Sequence, residues 1–474
     1  MGLIGRVEER RELLACLKSR KPEFVLLYGR KGVGKTFLVK SLFSNGPTFY
    51  TSGVNNKSLK TQLKNFADAL KEYGLKDFPM PKDWLDAFKG LKTLLGKEDV
   101  YREPSSGKRI IFLDEIPWMD TKRSDFKAGL DLFWNTYAST KSDLILIVCG
   151  SATSWILKNM VKDEGGFYNR PTRKIHLLPF TLGECLLFSQ YQKLGYKKKQ
   201  VIECYMVFGG VPFYWGLLDS SLSLAQNIDK LCFRESGQLR DEYQALFKSL
   251  FSVKGKHREI IEALTKKETG MQRKELAKAT SIGNGKSLTK TLEELCECGF
   301  LRAYDNYKTS TNGKFYQIID PFVLFARACL FSSPFDNWAA FLGTPSYYSW
   351  QGHAFEIVCL NSIAAIKNAL GISGVATKTY SWKSKKSKPG AQIDLLIQRK
   401  DGVINVCEMK YSKAAYTISE EYEENLDNKL QCFAKENNIQ DQLALAFITF
   451  NGLKRNEHSD IVPFEVNGED LFSI

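Results

Sequence analysis

The stretch EFVLLYGRKGVGKTFLVKSLF, residues 23–43, decides the reading of the first third of the chain. A short apolar run, Phe24 to Tyr28, leads into Gly29, Arg30, Lys31, Gly32, Val33, Gly34, Lys35 and Thr36. A helical pattern begins at Phe37. Strand, glycine-rich loop and helix in that order fill the template of a phosphate-binding loop. Glycines let the backbone wrap a phosphate with its N–H groups pointing inward. The helix N-terminus adds a partial positive charge. Lys35 is placed to reach the outer phosphates of ATP, and the Thr36 hydroxyl to hold Mg²⁺. Gly29 to Phe37 are therefore the expected nucleotide-contacting residues.

Downstream, KRIIFLDEIPWMD (residues 108–120) carries a second apolar run that ends at Asp114 and Glu115. A buried parallel strand reads as a continuous apolar run, and ligands gather at the carboxyl ends of such strands. Asp114 is expected to hold Mg²⁺, and Glu115 to polarise the attacking water. A third run, Leu144 to Cys149, ends at Gly150 and Ser151. Ser151 reads either as a polar sensor of the γ-phosphate or as the cap of a strand-to-helix turn. Arg170 and Arg173 precede a short strand expected over 174–178. One of them can serve as an arginine finger, within the chain or toward a neighbouring subunit of a homo-oligomer. Arg170 is preferred because it closes the Gly165–Gly166 segment. Helical stretches alternate with the strands, which predicts a parallel sheet with helices on both faces.

The whole chain has 474 residues, 43% of them hydrophobic, and a formal net charge of +14. That length allows roughly two to four domains. The balance of charge favours a polyanionic partner, chiefly nucleic acid. The opening residues have no apolar core of a leader peptide, and no uninterrupted apolar run reaches membrane-spanning length. A cytoplasmic protein without a membrane partner is expected. Eleven cysteines are scattered and only four histidines are present. This spacing argues against a structural zinc and predicts reduced, mostly buried thiols.

GLIGRVEERRELLACL (2–17), GRKGVGKT (29–36), IIFLDEIPWM (110–119) and CGSATSWI (149–156) together resemble the AAA+/STAND-like ATPase family of archaea, also found in bacteria. YNRPTRKIHLLPFTLGE (168–184) is similar to that family's stretch after the sensor strand. FGGVPFYWGLL (208–218) resembles the GG-x-P element of its helical lid. The resemblance covers roughly residues 1–235. It implies that Gly5 and Arg6 lie near the base and Pro212 near the nucleotide. No arginine stands near Pro212, so no second sensor is assigned there.

From about residue 240 the pattern changes. Helices are expected over 257–265, 271–280 and 286–299, followed by two strands around a turn at Asn312–Gly313. Helix, turn, helix and wing is the pattern of a winged helix-turn-helix. Lys286, Ser287, Thr289 and Lys290 are expected to face outward, and Leu288, Leu292 and Leu295 inward. Such a module either docks DNA through its third helix or mediates protein contacts.

Near the end, QIDLLIQRKDGVINVCEMKYS (392–412) reads as a hairpin turning at Asp401–Gly402. Period-two alternation puts Glu408 and Lys410 on one side, with Asp394 able to lie beside them. Two carboxylates around Mg²⁺ and a lysine to orient water are what phosphodiester hydrolysis needs. A helix expected over 351–371 carries Glu356, and a basic run, Lys383 to Lys388, precedes the hairpin. Asp394, thirteen residues, then Glu408-Met409-Lys410 resembles the PD-(D/E)xK nuclease superfamily. The whole arrangement is similar to ATPases with a DUF234-type C-terminal domain. The resemblance implies Glu356 as the helix glutamate, Asp394 and Glu408 as metal ligands and Lys410 as the catalytic lysine.

The expected fold class is thus α/β. A P-loop NTPase core with a parallel sheet spans 1–180, a helical lid 181–240, a winged helix-turn-helix 241–325, and a small restriction-endonuclease-like α/β domain 326–474. Two functions stay open. One is an ATP-hydrolysing protein that engages DNA and cleaves nucleic acid. The other is a STAND-like regulatory switch whose last domain is inert.

Overall fold

The computed structural model describes the whole chain except residues 1, 44, 152, 162–166, 168, 251–254, 268, 308–313, 332–334, 385–390 and 474. Two compact units result, Met1–Leu178 and Pro179–Ile474.

The first unit is built on five strands: β1 (Glu23–Tyr28), β2 (Phe49–Ser52), β3 (Arg109–Asp114), β4 (Leu144–Gly150) and β5 (Arg173–His176). Their order is β2-β3-β4-β1-β5, and every pairing is parallel. The apolar runs of β1, β3 and β4 are buried, with only Tyr28 at the end of β1 partly so, because both faces of the sheet are covered. Alternate residues of each strand feed separate cores. Phe24, Leu26, Ile111 and Leu113 pack with Phe66, Trp84 and Phe133 of the helices on one face. Val25, Leu27, Ile110 and Phe112 pack with Leu13, Leu38 and Val39 on the other. Helices on both faces of a parallel sheet are therefore found as expected. The strand expected over 174–178 lies at Arg173–His176.

Within the second unit, helices Leu182–Tyr191 and Lys198–Phe208 precede a short helix that starts at Pro212. Helices Lys256–Leu264, Arg273–Ala279 and Lys286–Glu297 follow, with strands β6 (Met271–Gln272), β7 (Leu301–Tyr304) and β8 (Phe315–Ile318). These strands form an antiparallel sheet in the order β6-β8-β7. The helix expected to start at Met271 starts instead at Arg273. Met271 and Gln272 are drawn into strand pairing with Tyr316 and Phe315. The expected turn at Asn312–Gly313 lies outside the described residues.

The last sheet holds β9 (Thr377–Lys383), β10 (Gln392–Arg399), β11 (Val403–Lys410), β13 (Gln442–Thr449) and β15 (Phe464–Asn467) in the order β15-β13-β11-β10-β9. Two-residue strands β12 (Tyr416–Thr417) and β14 (Leu453–Lys454) pair beside it. β10 and β11 form the expected antiparallel hairpin, turning at Gly402 with φ 82°. β11, β13 and β15 run parallel. Helix Glu420–Asn437 buries Leu426 and Phe433 against this sheet. The single helix expected over 351–371 is two: Pro345–Asn361 and Ile363–Ala369, interrupted at Ser362 (φ −114°, ψ 25°). Of the basic run before the hairpin, Lys383 closes β9 and residues 385–388 lie outside the described part.

Candidate ATPase site and C-terminal carboxylate patch

The phosphate loop leaves β1 at Gly29. A Cβ there would lie 2.2 Å from the Leu177 carbonyl oxygen, and φ is 153°, so this turn requires glycine. Gly34 caps helix Lys35–Leu42. Lys35 is buried, and its Nζ donates to the carbonyls of Gly29 (2.8 Å) and Arg30 (3.0 Å) and to Ser151 Oγ (3.0 Å). Thr36 Oγ1 donates to Asp114 Oδ2 at 2.6 Å. Loop and acidic strand end, 78 residues apart, therefore meet at the carboxyl ends of β1 and β3. A threonine hydroxyl beside a carboxylate is the hard-oxygen pair that suits Mg²⁺. Residues and ion fit, and the ion would neutralise phosphate charge there.

Glu115 follows β3 in the left-handed region, φ 47°, an uncommon conformation for a non-glycine residue. Its N–H donates to Asp114 Oδ1 at 2.9 Å. Its carboxylate accepts from Ser151, both from the hydroxyl and from the backbone N–H at 3.2 Å. Ser151 thus joins Lys35 to Glu115, an arrangement a mere turn cap does not need. Arg6 is buried, with φ 58°, and donates to the Val33 carbonyl at 3.1 Å, tying the Gly5–Arg6 turn to the loop. Val33 is buried, Lys31 exposed, and Phe37 is 39% exposed.

The two candidate finger arginines differ. Arg173 is held by Glu12 and by Glu23 at 3.6 Å, so it serves the fold. Arg170 is 44% exposed, with Asp131 at 3.9 Å. Gly165 and Gly166 lie outside the described residues. Pro212 belongs to the second unit.

In the last sheet, the β10–β11 register pairs Leu395 with Cys407, the residues next to Asp394 and Glu408 in their strands. Lys410 Nζ lies 3.3 Å from Glu408 Oε1. Lys429, from helix Glu420–Asn437, donates to both Glu408 oxygens, at 3.0 and 2.8 Å. Tyr422 of the same helix adds its hydroxyl at 2.5 Å. Burial pushes the Glu408 carboxyl up, but Lys429 and Lys410 outweigh it and hold it below the usual range. Asp394 goes the other way. Burial, then the charges of Glu356 and Glu408, push it well above the usual carboxylate range. Gln392 donates to it at 2.6 Å. Glu356 accepts from Gln317 at 3.3 Å and faces His353 at 3.5 Å.

Asp394, Glu408 and Lys410 are thus neighbours, with Glu356 near enough to Asp394 to act on its charge. Yet among the described residues no three His, Cys, Asp or Glu side chains converge as a metal-holding group. The charge of Glu408 is balanced by two ammonium groups. Lys429 and Tyr422 escaped the sequence reading. The available signal was a lysine at a position in step with buried Leu426 and Phe433, where helical periodicity calls for an apolar residue.

In the helical module, Leu288, Leu292 and Leu295 are buried as expected, and Lys286 and Lys290 are exposed. Ser287 and Thr289 do not face freely outward. They are half-buried, accepting from Lys256 (2.8 Å) and Arg273.

Residues 3–218 match the model of an ATPase domain predominantly from Archaea. Over those residues the chain is similar to that domain. An uncharacterized protein of Methanocaldococcus jannaschii is 26% identical over 270 residues, 55% of this chain and 54% of the relative. The chain thus spans about half the length of the curated relative it matches. Among solved structures, the Walker-type ATPase of Pyrococcus abyssi is 18% identical, over 68% of this chain and 95% of that one, with TM-score 0.47. The Aeropyrum pernix ORC1 protein in complex with DNA is 14% identical over 70% and 94%, with TM-score 0.35. No helix among the described residues is long and apolar enough to cross a membrane. All eleven cysteines are free thiols, nine of them buried.

Proposed function

We propose that the protein is a Mg²⁺-dependent ATPase that engages DNA and carries a nuclease-like C-terminal domain, with parts divided at 1–180, 181–240, 241–325 and 326–474. The observation that carries the ATPase reading is the junction of Thr36 with Asp114 and of Lys35, through Ser151, with Glu115. The loop N–H groups and Lys35 bind the phosphates. Thr36 and Asp114 hold the ion. Glu115, kept in place by Ser151, takes the proton of the attacking water. Gly5 and Arg6 line the base, and Arg170 is the finger offered to a second copy in a homo-oligomer.

Three helices and a three-stranded sheet, with Lys286 and Lys290 exposed on the third helix, support the winged-helix reading and a DNA partner. The net charge of +14 points the same way. Asp394 and Glu408 on neighbouring strands, with Lys410 at 3.3 Å from Glu408, support a phosphodiester-cleaving site in the last domain. A second reading, a regulatory switch with an inert last domain, draws on the pairing of Glu408 with Lys429 and Tyr422.

One assay separates the two. Mg²⁺- or Mn²⁺-dependent nicking of DNA by the full chain, abolished in Asp394→Ala and Lys410→Ala with DNA binding kept, supports the first. Intact ATP hydrolysis with no cleavage of any DNA or RNA form supports the switch. ATP hydrolysis that survives Lys35→Ala overturns the assignment of residues 29–36.

A further inference from the structure

The second unit holds a cavity of about 520 Å³ that neither the loop nor the carboxylate patch accounts for. It opens between the end of helix Lys256–Leu264, strand β8, the segment 321–331 and helix Pro345–Asn361. Small-molecule sites fall at roughly 300–1,000 Å³, so one compact organic ligand fills it where an inorganic anion would not. Leu264, Ile318 and Leu324 give it an apolar wall.

Its polar lining is biased to donors. Lys266 and Arg327 are cations that can only donate, and the Trp350 indole is likewise a donor alone. No Asp or Glu lines the cavity among the described residues. Arg327 Nε and Trp350 Nε1 are both buried and without a hydrogen-bond partner. A buried donor left unsatisfied costs about 1–3 kcal/mol, and both of these belong to side chains that line the cavity. Trp350 is 7% exposed and braced by Phe325, Trp338 and Tyr347, which fixes its ring. Ser346 and Ser349, both exposed, add hydroxyls at the rim.

A ligand that meets this set needs an anionic end for two cations, a flat apolar ring for the wall of Leu264, Ile318, Leu324 and Trp350, and hydroxyls toward the serines. We propose that the cavity binds a nucleoside monophosphate, with its phosphate held by Lys266 and Arg327 and its base set against Trp350. The site is separate from the phosphate loop and stands whichever reading of the carboxylate patch holds. His353 also lines it and lies 3.5 Å from Glu356, so occupancy is one contact away from that patch.

The test is calorimetric titration of the full Lys35→Ala chain, which removes loop binding, with AMP, GMP, CMP and UMP and separately with orthophosphate. One nucleotide bound per chain is expected, with orthophosphate weaker by about tenfold or more. Arg327→Gln should weaken the nucleotide by about tenfold or more, the loss of a charged hydrogen bond. Ser349→Trp, at an exposed position that tolerates bulk, should block the cavity and gives the same readout if Arg327→Gln fails to fold. Either change in the wild-type background should leave ATP hydrolysis unaltered. Absence of binding by all four nucleotides at millimolar concentration overturns the proposal. So does binding that both variants retain, or orthophosphate binding as tightly as a nucleotide.

Discussion

At the scale of single residues the proposed ATPase site is a chain of contacts running Lys35, Ser151, Glu115, Asp114, Thr36. Each link fixes a different part of the chemistry, so removing different links should give different defects. Lys35→Ala removes the cation that meets the phosphates and should abolish both nucleotide binding and turnover. Glu115→Gln keeps side-chain shape and can still accept from Ser151, but it cannot take a proton. It should bind ATP with near wild-type affinity while turnover falls about a hundredfold or more. Equilibrium binding of a fluorescent ATP analogue beside a phosphate-release assay separates the two, and equal turnover of Glu115→Gln and wild type would remove Glu115 from the mechanism. These residues were legible in the sequence because loop and strand end each follow an apolar run whose burial is forced. What could not be read was how Ser151 is used, since a serine after a strand satisfies a cap and a sensor equally well until a partner is seen. Likewise Arg170 and Arg173 are indistinguishable by type, and only the acids around Arg173 assign it to the fold.

At the scale of elements, two ion pairs join pieces that are distant in sequence. Arg109, opening β3, meets Asp143, just before β4, at 2.8 Å, and Arg102 reaches the same carboxylate at 2.7 Å. Burial would raise the Asp143 carboxyl, but hydrogen bonds and charge from both arginines outweigh it and bring it down to about 2. A depressed carboxyl contributes stability above its unfolded value of about 3.9, and loses it as pH falls from there toward 2. Asp143→Asn should therefore cost about 1 kcal/mol at neutral pH, allowing for screening at a partly exposed site, and almost nothing at pH 2. Thermal melts across that range check it; a pH-independent cost would mean packing, not charge, is lost. At the last sheet, helix Glu420–Asn437 is pinned to β11 by Lys429 on Glu408. Lys429→Met strips one partner from a buried carboxylate and should destabilise by about 2–4 kcal/mol, with Glu408→Gln in the same chain restoring part of the loss. Urea melts of the two single variants and the pair measure that coupling; additive effects would show that the helix does not depend on the contact. Strands β1, β3, β4, β10 and β11 were readable from apolar runs and a Gly402 turn. The break at Ser362 was not, because Asn361, Ser362 and Ile363 keep the helical pattern on both sides. Nor was the capture of Met271–Gln272 by β8, a pairing between residues more than forty apart.

For the whole molecule the open question is what the excess of 14 positive charges is for. Diffuse surface charge and a built docking face make different predictions about salt. A protein that neutralises several phosphates releases their counterions, and the logarithm of its affinity falls linearly with the logarithm of salt, by about 0.9 per phosphate contacted on duplex DNA. If Lys286 and Lys290 sit at phosphates, replacing both by Gln should reduce that slope by about 1.8 and weaken binding at low salt. A diffuse surface would lose less, because any two lysines among many are replaceable. Lys286 is the cleaner probe, since Lys290 already has Glu294 at 3.8 Å and starts from a partly compensated state. Neutralising an exposed pair elsewhere, Lys57→Gln with Lys60→Gln, gives the comparison for generic charge. Duplex binding by fluorescence anisotropy between 50 and 200 mM salt, in about five steps, reads all three slopes. Equal slopes for the two pairs would take DNA docking away from the third helix and leave the module as a protein-contact surface.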